Sequence, residues 1–529
     1  MKRKIYILSI SVLFAMTFLG CTEWLSTKPE SEIILEEFWK TESDVQAVVA
    51  ACYKRMTASD VVFRMIVWGE LRSDNMSEGI GFPNESNYKD LGRILDGEIT
   101  AYNDFSSWSA FYAVINYCNT ILHYAPIVTE RDRNFTQSDL IRTQAEVRSI
   151  RALAYFYLVR AYKEVPWIED ASISDTQNYD KAKDTEQTVI GHIIDDLIFA
   201  RQNIAVDYGR KDYNKGRMTR NAVNALLADV YLWNQQYDES IAACDSVLAD
   251  KNLELEKGTF AFSRNFYVGN SNESIFELQF DDNISIVNTA VQKMYGTSND
   301  FGFISLPTTL ADNPYNLEAD KRTGLYSPFN YKVSSILVES SNDERAKDSY
   351  REYSGKYYIF KYVGINRTEN QTGSAGSVYF SRTNTPDWII YRLSDVILMK
   401  AEALVQKNNY AGAMEMVNLT YLRSNPEAAK LEVSDYPTQG DMELLVLRER
   451  QRELLFEGKR WFDLLRVARR EGNTNTINNY VDHKASGATA TLGVPVLDAL
   501  YMPIKDSELR SNPKLEQNVY YKTTSSSNR

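Results

Sequence analysis

The sequence predicts a mainly α-helical protein, in which a scaffold of paired helices carries long loop insertions and a small β element. Three observations predict this fold class. Amphipathic helical periodicity recurs along most of the 529 residues, and two helix-turn-helix segments can be aligned with each other. In contrast, one long stretch, residues 281–385, is rich in turn residues and poor in helical pattern.

A leader precedes this scaffold. Three basic residues follow Met1, an apolar stretch runs from Ile5 to Phe18, and Leu19-Gly20-Cys21 closes the segment. This arrangement is typical of a secretory signal, and the apolar stretch is shorter than the about 20 residues that span a membrane. We therefore expect removal of residues 1–20 and lipidation of Cys21, which would anchor the mature chain. The alternative is an ordinary signal peptide followed by an incidental cysteine.

Four runs show apolar residues three and four positions apart, as amphipathic helices require. These runs are Ser43 to Met56, Trp108 to Tyr124, Glu146 to Tyr162 and Thr185 to Asn203. The cysteines after Cys21 are odd in number and lie in such apolar patterns, so we expect buried thiols rather than a disulfide framework. They are Cys52, Cys118 and Cys244.

The two alignable segments run from Ala228 to Ser240 and from Ala401 to Ala413. In each, an amphipathic helix ends in a polar Asn/Gln corner, and a tyrosine nine residues after the alanine opens a second helix. This pattern resembles the tetratricopeptide repeat, in which small residues allow paired helices to approach closely. The repeats do not recur at a period of about 34 residues. We therefore expect a helical core interrupted by insertions.

The most conspicuous interruption is the turn-rich stretch. Alternating residues at 276–280 and at 358–362 predict a small sheet beside and within it. We accordingly divide the chain into four parts. They are a signal peptide (1–20), an N-terminal part with helical pairs (21–280), a loop-rich insertion that is the candidate ligand-binding region (281–385), and a C-terminal part (386–529).

A charged and aromatic run from Arg450 to Leu465 predicts one packed helix, because its aromatic and leucine side chains fall on a single stripe. Acidic and basic residues stand three positions apart along it, so we expect pairing rather than catalysis. The expected pairs are Glu449–Arg452, Glu457–Arg460 and Asp463–Arg466.

Polar residues on two earlier helices are also expected to be structural. Arg148 and Arg151 lie on one helix and should pair with carboxylates of a neighbouring helix. Asn116 and Asn119 should satisfy helix ends or backbone groups rather than contact a ligand.

Composition excludes several classes of function. Loss of the three basic leader residues leaves 56 basic residues (59 minus 3) against 71 acidic ones, a net charge of −15. Such a surface repels phosphate backbones, so we expect no nucleic-acid partner. The three histidines lie far apart, and no HExxH, GxSxG, P-loop or GxGxxG motif is present, so we expect no metal site or cofactor.

Four stretches together resemble the SusD/RagB family of nutrient-binding outer-membrane lipoproteins of Bacteroidetes. They are Arg148 to Pro166, Gly216 to Ala228, Tyr391 to Ala403, and Arg450 to Leu464 with the later Met502-Pro503-Ile504 and Asn512 to Asn518. They follow in the family's order behind the leader and cover nearly the whole mature chain. The chain departs from the family at two points. Lys163 stands where the family usually has glycine, and Val519-Tyr520-Tyr521 stands where it generally has Pro-Gly-Tyr.

The resemblance implies a rigid platform that docks on a SusC-like, TonB-dependent barrel at the outer membrane and faces the cell exterior. Its inserted loops would capture nutrient oligomers, with glycans as the leading candidate. It also implies a binding protein, not an enzyme.

Aromatic rings on loops are the side chains that stack on sugar rings, with Asp and Asn bonding the hydroxyls. Two loop regions are candidates, because loops on a rigid scaffold commonly carry binding. The region from 74 to 102 contributes Asp74, Asn75, Tyr88 and Tyr102, and the insertion contributes Tyr295, Phe301 and Tyr326.

Three alternatives remain open. The same architecture could bind peptides, as another branch of the family does, and nothing in the sequence decides between the two ligands. A tetratricopeptide adaptor for envelope assembly would lack the long insertion. A secreted hydrolase would use paired carboxylates, but no carboxylate here has a recognisable pocket context.

Overall fold

The computed structural model describes residues 35–78, 89–174, 177–258, 261–296, 304–306, 309–310, 331–332, 343–353, 356–359, 361–362, 385–481 and 494–526. The first helices are α1 (Leu35–Phe38), α2 (Glu42–Met56), α3 (Ser59–Ile66), α4 (Lys89–Leu95), α5 (Ser109–Arg131), α6 (Gln137–Tyr162), α7 (Glu186–Asn203), α8 (Lys211–Gly216), α9 (Arg220–Trp233) and α10 (Tyr237–Leu248). They are followed by α11 (Thr289–Tyr295), α12 (Glu344–Ser349), α13 (Leu393–Gln406), α14 (Tyr410–Ser424), α15 (Gln439–Leu454), α16 (Arg460–Glu471), α17 (Asn475–Val481), α18 (Asp506–Ser511) and α19 (Val519–Ser526).

The strands are short and few beside the helices. They are β1 (Ser77–Glu78), β2 (Ser274–Leu278), β3 (Ile304–Leu306), β4 (Thr309–Leu310), β5 (Tyr331–Lys332), β6 (Tyr350–Tyr353), β7 (Lys356–Ile359) and β8 (Trp388–Arg392). Strands β1, β3, β7 and β6 form one antiparallel sheet in that order, while β2 pairs with β8 and β4 with β5. The predicted mainly α-helical fold class is confirmed.

The predicted helices are present, and two of them are longer than their apolar pattern indicated. Helix α6 starts at Gln137 rather than at Glu146, because Thr136 and Asp139 form a capping box at its N-terminus. Helix α5 continues through Pro126 to Arg131. The three cysteines are free and buried, as predicted.

The two aligned segments adopt the same helix-turn-helix geometry. The corner residues Gln235 and Asn408 occupy equivalent positions, and both have positive φ, 59° and 58°. The next residue in each corner donates its backbone N–H to the equivalent carbonyl, Gln236 to Tyr231 at 2.8 Å and Asn409 to Leu404 at 2.9 Å. Helix α10 of the first pair packs on α13 of the second, so α9, α10, α13 and α14 form one stack. This stack has the tetratricopeptide-like arrangement that the sequence predicted.

Alternating residues predicted strands at 276–280 and 358–362, and the structure shows that these two strands do not pair with each other. Strand β2 pairs with β8, on the far side of the insertion, and not with β7. All five residues of β2 are buried, including Glu277, because helices α8 and α9 pack against the strand. The β2–β8 pair therefore brings the two ends of the insertion side by side.

The run from Arg450 to Leu465 is not one helix, so that prediction is wrong. Helix α15 ends at Leu454 and α16 starts at Arg460, and between them Phe456 and Gly458 have φ of 70° and 71°. The break lies against the turn 67–71, where a Cβ on Gly69 would be 2.0 Å from the carbonyl oxygen of Gly458. Glycine is required at Gly69 because the two backbones meet there.

Glu70 caps this break from the facing turn. Its carboxylate accepts hydrogen bonds from Asn75 Nδ2 at 2.9 Å and from the backbone N–H groups of Phe456, Lys459 and Arg460. A carboxylate at a helix start satisfies N–H groups that have no partner within the helix. Burial raises the pKa of Glu70 to about 7, although these hydrogen bonds oppose the increase.

A buried ion network joins the insertion to the scaffold. Arg392 contacts Glu273 and Glu453 at 2.6 Å and Glu457 at 2.8 Å. Among the described residues the network contains five carboxylates and five cations, and none of these side chains is more than 4% exposed. They are Glu273, Asp343, Glu449, Glu453 and Glu457 with Arg345, Lys361, Arg392, Arg423 and Arg452.

Burial alone would raise the pKa of Glu453, but Arg423, Arg392 and Arg345 hold it well below its ordinary value. This carboxylate is therefore ionised at neutral pH. Because both charges of each pair are out of water, the loss of one partner leaves the other uncompensated. The network is thus a specific requirement of this fold.

Two of the three predicted pairs within the run are confirmed. Glu449 contacts Arg452 at 2.8 Å, and Asp463 contacts Arg466 at 2.7 Å. The predicted Glu457–Arg460 pair is wrong, because the break separates the two residues. Glu457 instead contacts Lys361 and Arg392, and Arg460 contacts Asp74.

The predicted pairing of the two arginines and the predicted backbone contacts of the two asparagines are confirmed. Arg151 contacts Asp196 of α7 at 2.8 Å, and Arg148 contacts it at 3.5 Å. Asn116 Oδ1 accepts the backbone N–H of Ser172, and Asn119 Nδ2 donates to the carbonyl of Ile168.

We predict that Arg392→Met lowers the free energy of unfolding by about 3–5 kcal/mol, because it removes the cation that contacts three buried carboxylates and leaves the network with five carboxylates and four cations. Lys407→Met is the matched control, since Lys407 pairs with Asp238 at the surface with 44% of its side chain exposed. It should change stability by less than about 1 kcal/mol. Urea unfolding at pH 7 measures both, and equal effects would contradict the assigned role of the network.

Glu70 predicts a pH dependence of stability. Its pKa is higher in the folded chain than the ordinary value of 4.5, so its contribution is complete below about pH 4.5 and is lost as pH rises to about 7. The loss amounts to about 3 kcal/mol, at about 1.4 kcal/mol per pH unit between the two pKa values. Urea unfolding between pH 5 and 8 should show a shallower decline for Glu70→Gln than for the wild type. Parallel declines of stability in the two proteins would contradict the assignment of this pH dependence to Glu70.

Candidate functional site

A cavity of about 840 Å³ opens between two distant parts of the chain. One wall is the end of α4 with residues 97–102, and the other is formed by residues of the C-terminal segment 494–522. A concave site of this size, with apolar and polar groups together, is the usual form of a ligand site.

Backbone hydrogen bonds hold the two walls together. Asp506 donates its N–H to the carbonyl of Ala101 at 2.9 Å, and Lys505 donates to Ser106 at 3.2 Å. Farther along, the side-chain amide of Gln517 bonds both the N–H and the carbonyl of Ile504, at 2.7 and 2.8 Å. The C-terminal segment is therefore fixed beside residues 101–106 by groups of the backbone itself.

The floor of the cavity is apolar with one charge in it. Trp461, at the start of α16, is 3% exposed, and the guanidinium carbon of Arg72 lies 4.2 Å from the centroid of its ring. Arg72 donates hydrogen bonds to the carbonyl of Ala499 at 2.9 Å and to that of Leu500. Burial lowers the pKa of Arg72 to about 10, so it keeps its charge at neutral pH.

Tyrosines surround this floor. Tyr102 lines the cavity and is 74% exposed. Tyr520 and Tyr521, in α19, line it with rings 4.9 Å apart in an edge-to-face arrangement. The hydroxyl of Tyr521 donates to the carbonyl of Tyr501 at 3.2 Å, and its burial raises the pKa of Tyr521 to about 12. We call the site lined by Arg72, Tyr102, Trp461, Tyr520 and Tyr521 the aromatic cleft.

The aromatic cleft has the groups for binding a polyhydroxylated molecule. Tyrosine rings offer apolar faces with a polar edge, and Glu98, Thr100, Asp506 and Lys522 also line the cavity. In the part of the chain that the structure describes, no group of three or more His, Cys, Asp or Glu residues is placed to hold a metal ion. The arrangement fits non-covalent binding.

The predicted site residues are distributed unevenly in the structure. Tyr102 lies in the aromatic cleft. Tyr295 does not, and the prediction of ligand contact is corrected for it: its side chain is fully buried and its hydroxyl donates to the carbonyl of Phe456 at 2.9 Å. Its ring packs near Tyr362 and Trp388 in the core.

The prediction of ligand contact is also corrected for Asp74 and Asn75. Asp74 is 4% exposed and accepts hydrogen bonds from Arg460 Nε at 2.9 Å and Gln451 Nε2 at 2.9 Å. Asn75 is fully buried, donates to Glu70 and accepts from Gln451. Both hold the turn after Leu71 against α15 and α16, so their polar atoms are used within the protein.

Four other predicted residues lie outside the described residues. Two predictions therefore stay untested. One is ligand contact by Tyr88, Phe301 and Tyr326, and the other is lipidation of Cys21.

The sequence reading missed four residues of the cleft. Trp461 was assigned only to a packed helical stripe, and Arg72 was not singled out. Tyr520 and Tyr521 stood where the family generally has Pro-Gly-Tyr. That departure was the available signal, since it places two rings at a position where the family has one.

Two family models match the chain. One, described as the SusD family, matches residues 272–521. The other, described as starch-binding and associating with the outer membrane, matches residues 23–232. None of the helices that the structure describes is long and apolar enough to cross a lipid bilayer.

Relatives match over nearly their full length. A SusD-like protein of Formosa agariphila is 24% identical over 542 aligned residues, which cover 95% of this chain and 96% of the relative. Among solved structures, NanU of B. fragilis is 20% identical with a TM-score of 0.66, covering 93% of this chain and 99% of that one. A laminarin-binding SusD-like protein is 20% identical with a TM-score of 0.64, covering 91% and 100%. These structures share the fold.

Proposed function

Because the chain belongs to the SusD family, we propose that it binds glycan oligomers at the cell surface and delivers them to a TonB-dependent transporter. The observation that carries the proposal is the aromatic cleft. It presents tyrosine rings with carboxylate, hydroxyl and ammonium groups on the two walls of a cavity of about 840 Å³. Sugar rings offer matching apolar faces and hydroxyl groups.

Two further features of the comparisons support a glycan ligand. One matching family model is described as starch-binding, and one of the similar structures is that of a laminarin-binding protein. A peptide-binding protein of the same architecture is the competing function, and the binding test below separates the two.

The proposal includes a location and a mode of action. The description of the second model as associating with the outer membrane supports placement there. We further propose that lipid on Cys21 anchors the chain and that a SusC-like barrel is its partner. The protein binds and transfers its ligand without cleaving it. The loop-rich insertion, with Phe301 and Tyr326, is proposed as a further wall of the ligand site.

We predict that Tyr102→Ala weakens glycan binding about fivefold while leaving the melting temperature unchanged. The ring is 74% exposed, so it contributes little to the core, whereas stacking on a sugar is worth about 1 kcal/mol. Calorimetry with laminarin and maltose oligomers, and with peptides of similar length, measures the affinities.

Tyr213→Ala is the matched control, because Tyr213 is also exposed, at 43%, but does not line the cleft. It should leave the affinity unchanged. Binding of peptides but of no glycan would overturn the proposed ligand, and intact affinity in Tyr102→Ala would remove the cleft as its site.

We predict that Cys21→Ala either releases the protein from the membrane or stops its maturation. One acyl chain binds a membrane only marginally, and stable anchoring takes about two such signals. A multiply acylated Cys21 should therefore hold the wild type firmly, so that it sediments with the outer membrane and purifies with its barrel. Fractionation and identification of co-purified proteins measure both. A mutant that is still processed and membrane-bound would argue against lipidation.

A further inference from the structure

Arg72 places a buried positive charge in the wall of the aromatic cleft. Arg72 is only 9% exposed, yet it lines the cavity. Trp461 covers one face of its guanidinium at 4.2 Å, and two carbonyl oxygens each accept one of its N–H groups. A guanidinium has five N–H donors. The remaining donors have no protein partner in the part of the chain that the structure describes.

Other buried arginines of this protein are neutralised by carboxylates. Arg392 contacts Glu453 at 2.6 Å, Arg466 contacts Glu402 at 2.7 Å, and Arg460 contacts Asp74 at 2.9 Å. Arg72 has no such ion pair within the described chain. A buried charge without a counter-ion is unfavourable, so this position differs from the pattern that the rest of the molecule follows.

The other charged groups of the cleft do not supply the missing negative charge. Asp506 forms an ion pair with Arg510, one turn later in α18. Glu98 lines the cavity but is exposed to water, and Lys522, which also lines it, contacts Glu516 at 2.6 Å. The positive potential at Arg72 is therefore available to a ligand.

We propose that the aromatic cleft selects oligosaccharides that carry an anionic group, either a uronate carboxylate or a sulfate ester, which Arg72 receives. This inference rests on the glycan-binding function proposed above. Hydrogen bonds between a guanidinium and an anionic oxygen are about twice as strong as neutral ones. The acidic surface of the protein repels anions at long range, but at physiological salt that repulsion is screened beyond about 8 Å. Contact with Arg72 decides the affinity inside the cleft.

Matched ligand pairs test the proposal on the full mature chain. Calorimetry compares oligogalacturonate with its methyl ester, and sulfated laminarin oligomers with unsulfated ones. The members of each pair share a sugar backbone and differ at the group that carries the charge. We expect the anionic member of at least one pair to bind about tenfold more tightly, and the pair that shows it identifies the carboxylate or the sulfate as the group recognised.

Every other outcome overturns the inference, and the proposed function is tested separately. Equal binding within both pairs would show a glycan site with no preference for anions. Absence of binding in all four ligands would also overturn it, and the maltose oligomers used for Tyr102→Ala then report separately on glycan binding.

Arg72→Gln and Arg72→Lys separate charge from packing. Arg72→Gln should reduce the preference for the anionic member, taken as the ratio of the two affinities measured on the same variant, to about threefold or less, and Arg72→Lys should keep part of the preference. Lys407→Gln removes a cation far from the cleft and should change nothing. If Arg72→Gln does not fold, the ratio measured within each pair on the wild type decides.

Discussion

The buried ion network is the constraint on which the rest of this structure depends. Its ten charges come from the residue before β2, from strand β8, from the helices α12, α14 and α15, and from chain segments near them, so it connects parts of the sequence more than 170 residues apart. Hydrophobic packing tolerates small shifts, but buried charges require each partner in place. The network therefore fixes the position of β8 and of the break between α15 and α16, and that break places Trp461 beneath the aromatic cleft.

Local features of the fold were predictable from the sequence, and most of its tertiary contacts were not. Helices, repeat corners and the pairing of Arg151 with a neighbouring helix follow from periodicity and from the cost of an unpaired charge. The i,i+3 rule failed at Glu457, because Phe456 and Gly458 leave the helical conformation there. Tyr295 lies in the stretch that was predicted to be a loop-rich insertion from its composition, yet it packs in the core, since composition does not reveal where a chain turns inward.

The candidate site shows the same limit. Tyr102 was found because it lies among loop residues, but the opposite wall comes from a segment almost 400 residues later. Tyr520 and Tyr521 became interpretable only when backbone hydrogen bonds placed the C-terminal segment beside residues 101–106. The cleft thus combines a floor built by α16 and Arg72, the partly buried rings of Tyr520 and Tyr521, and the exposed ring of Tyr102.

The β2–β8 pair has a consequence for how such proteins diversify. The chain leaves the scaffold after β2 and returns to it at β8, and in between Arg345 and Lys361 tie it to the buried network. Closing a loop costs only about 0.6 kcal/mol more each time its length doubles. Lengthening or shortening the spans between these tie points therefore changes the free energy of folding little. Sequence changes can therefore accumulate in these spans without rebuilding the helices.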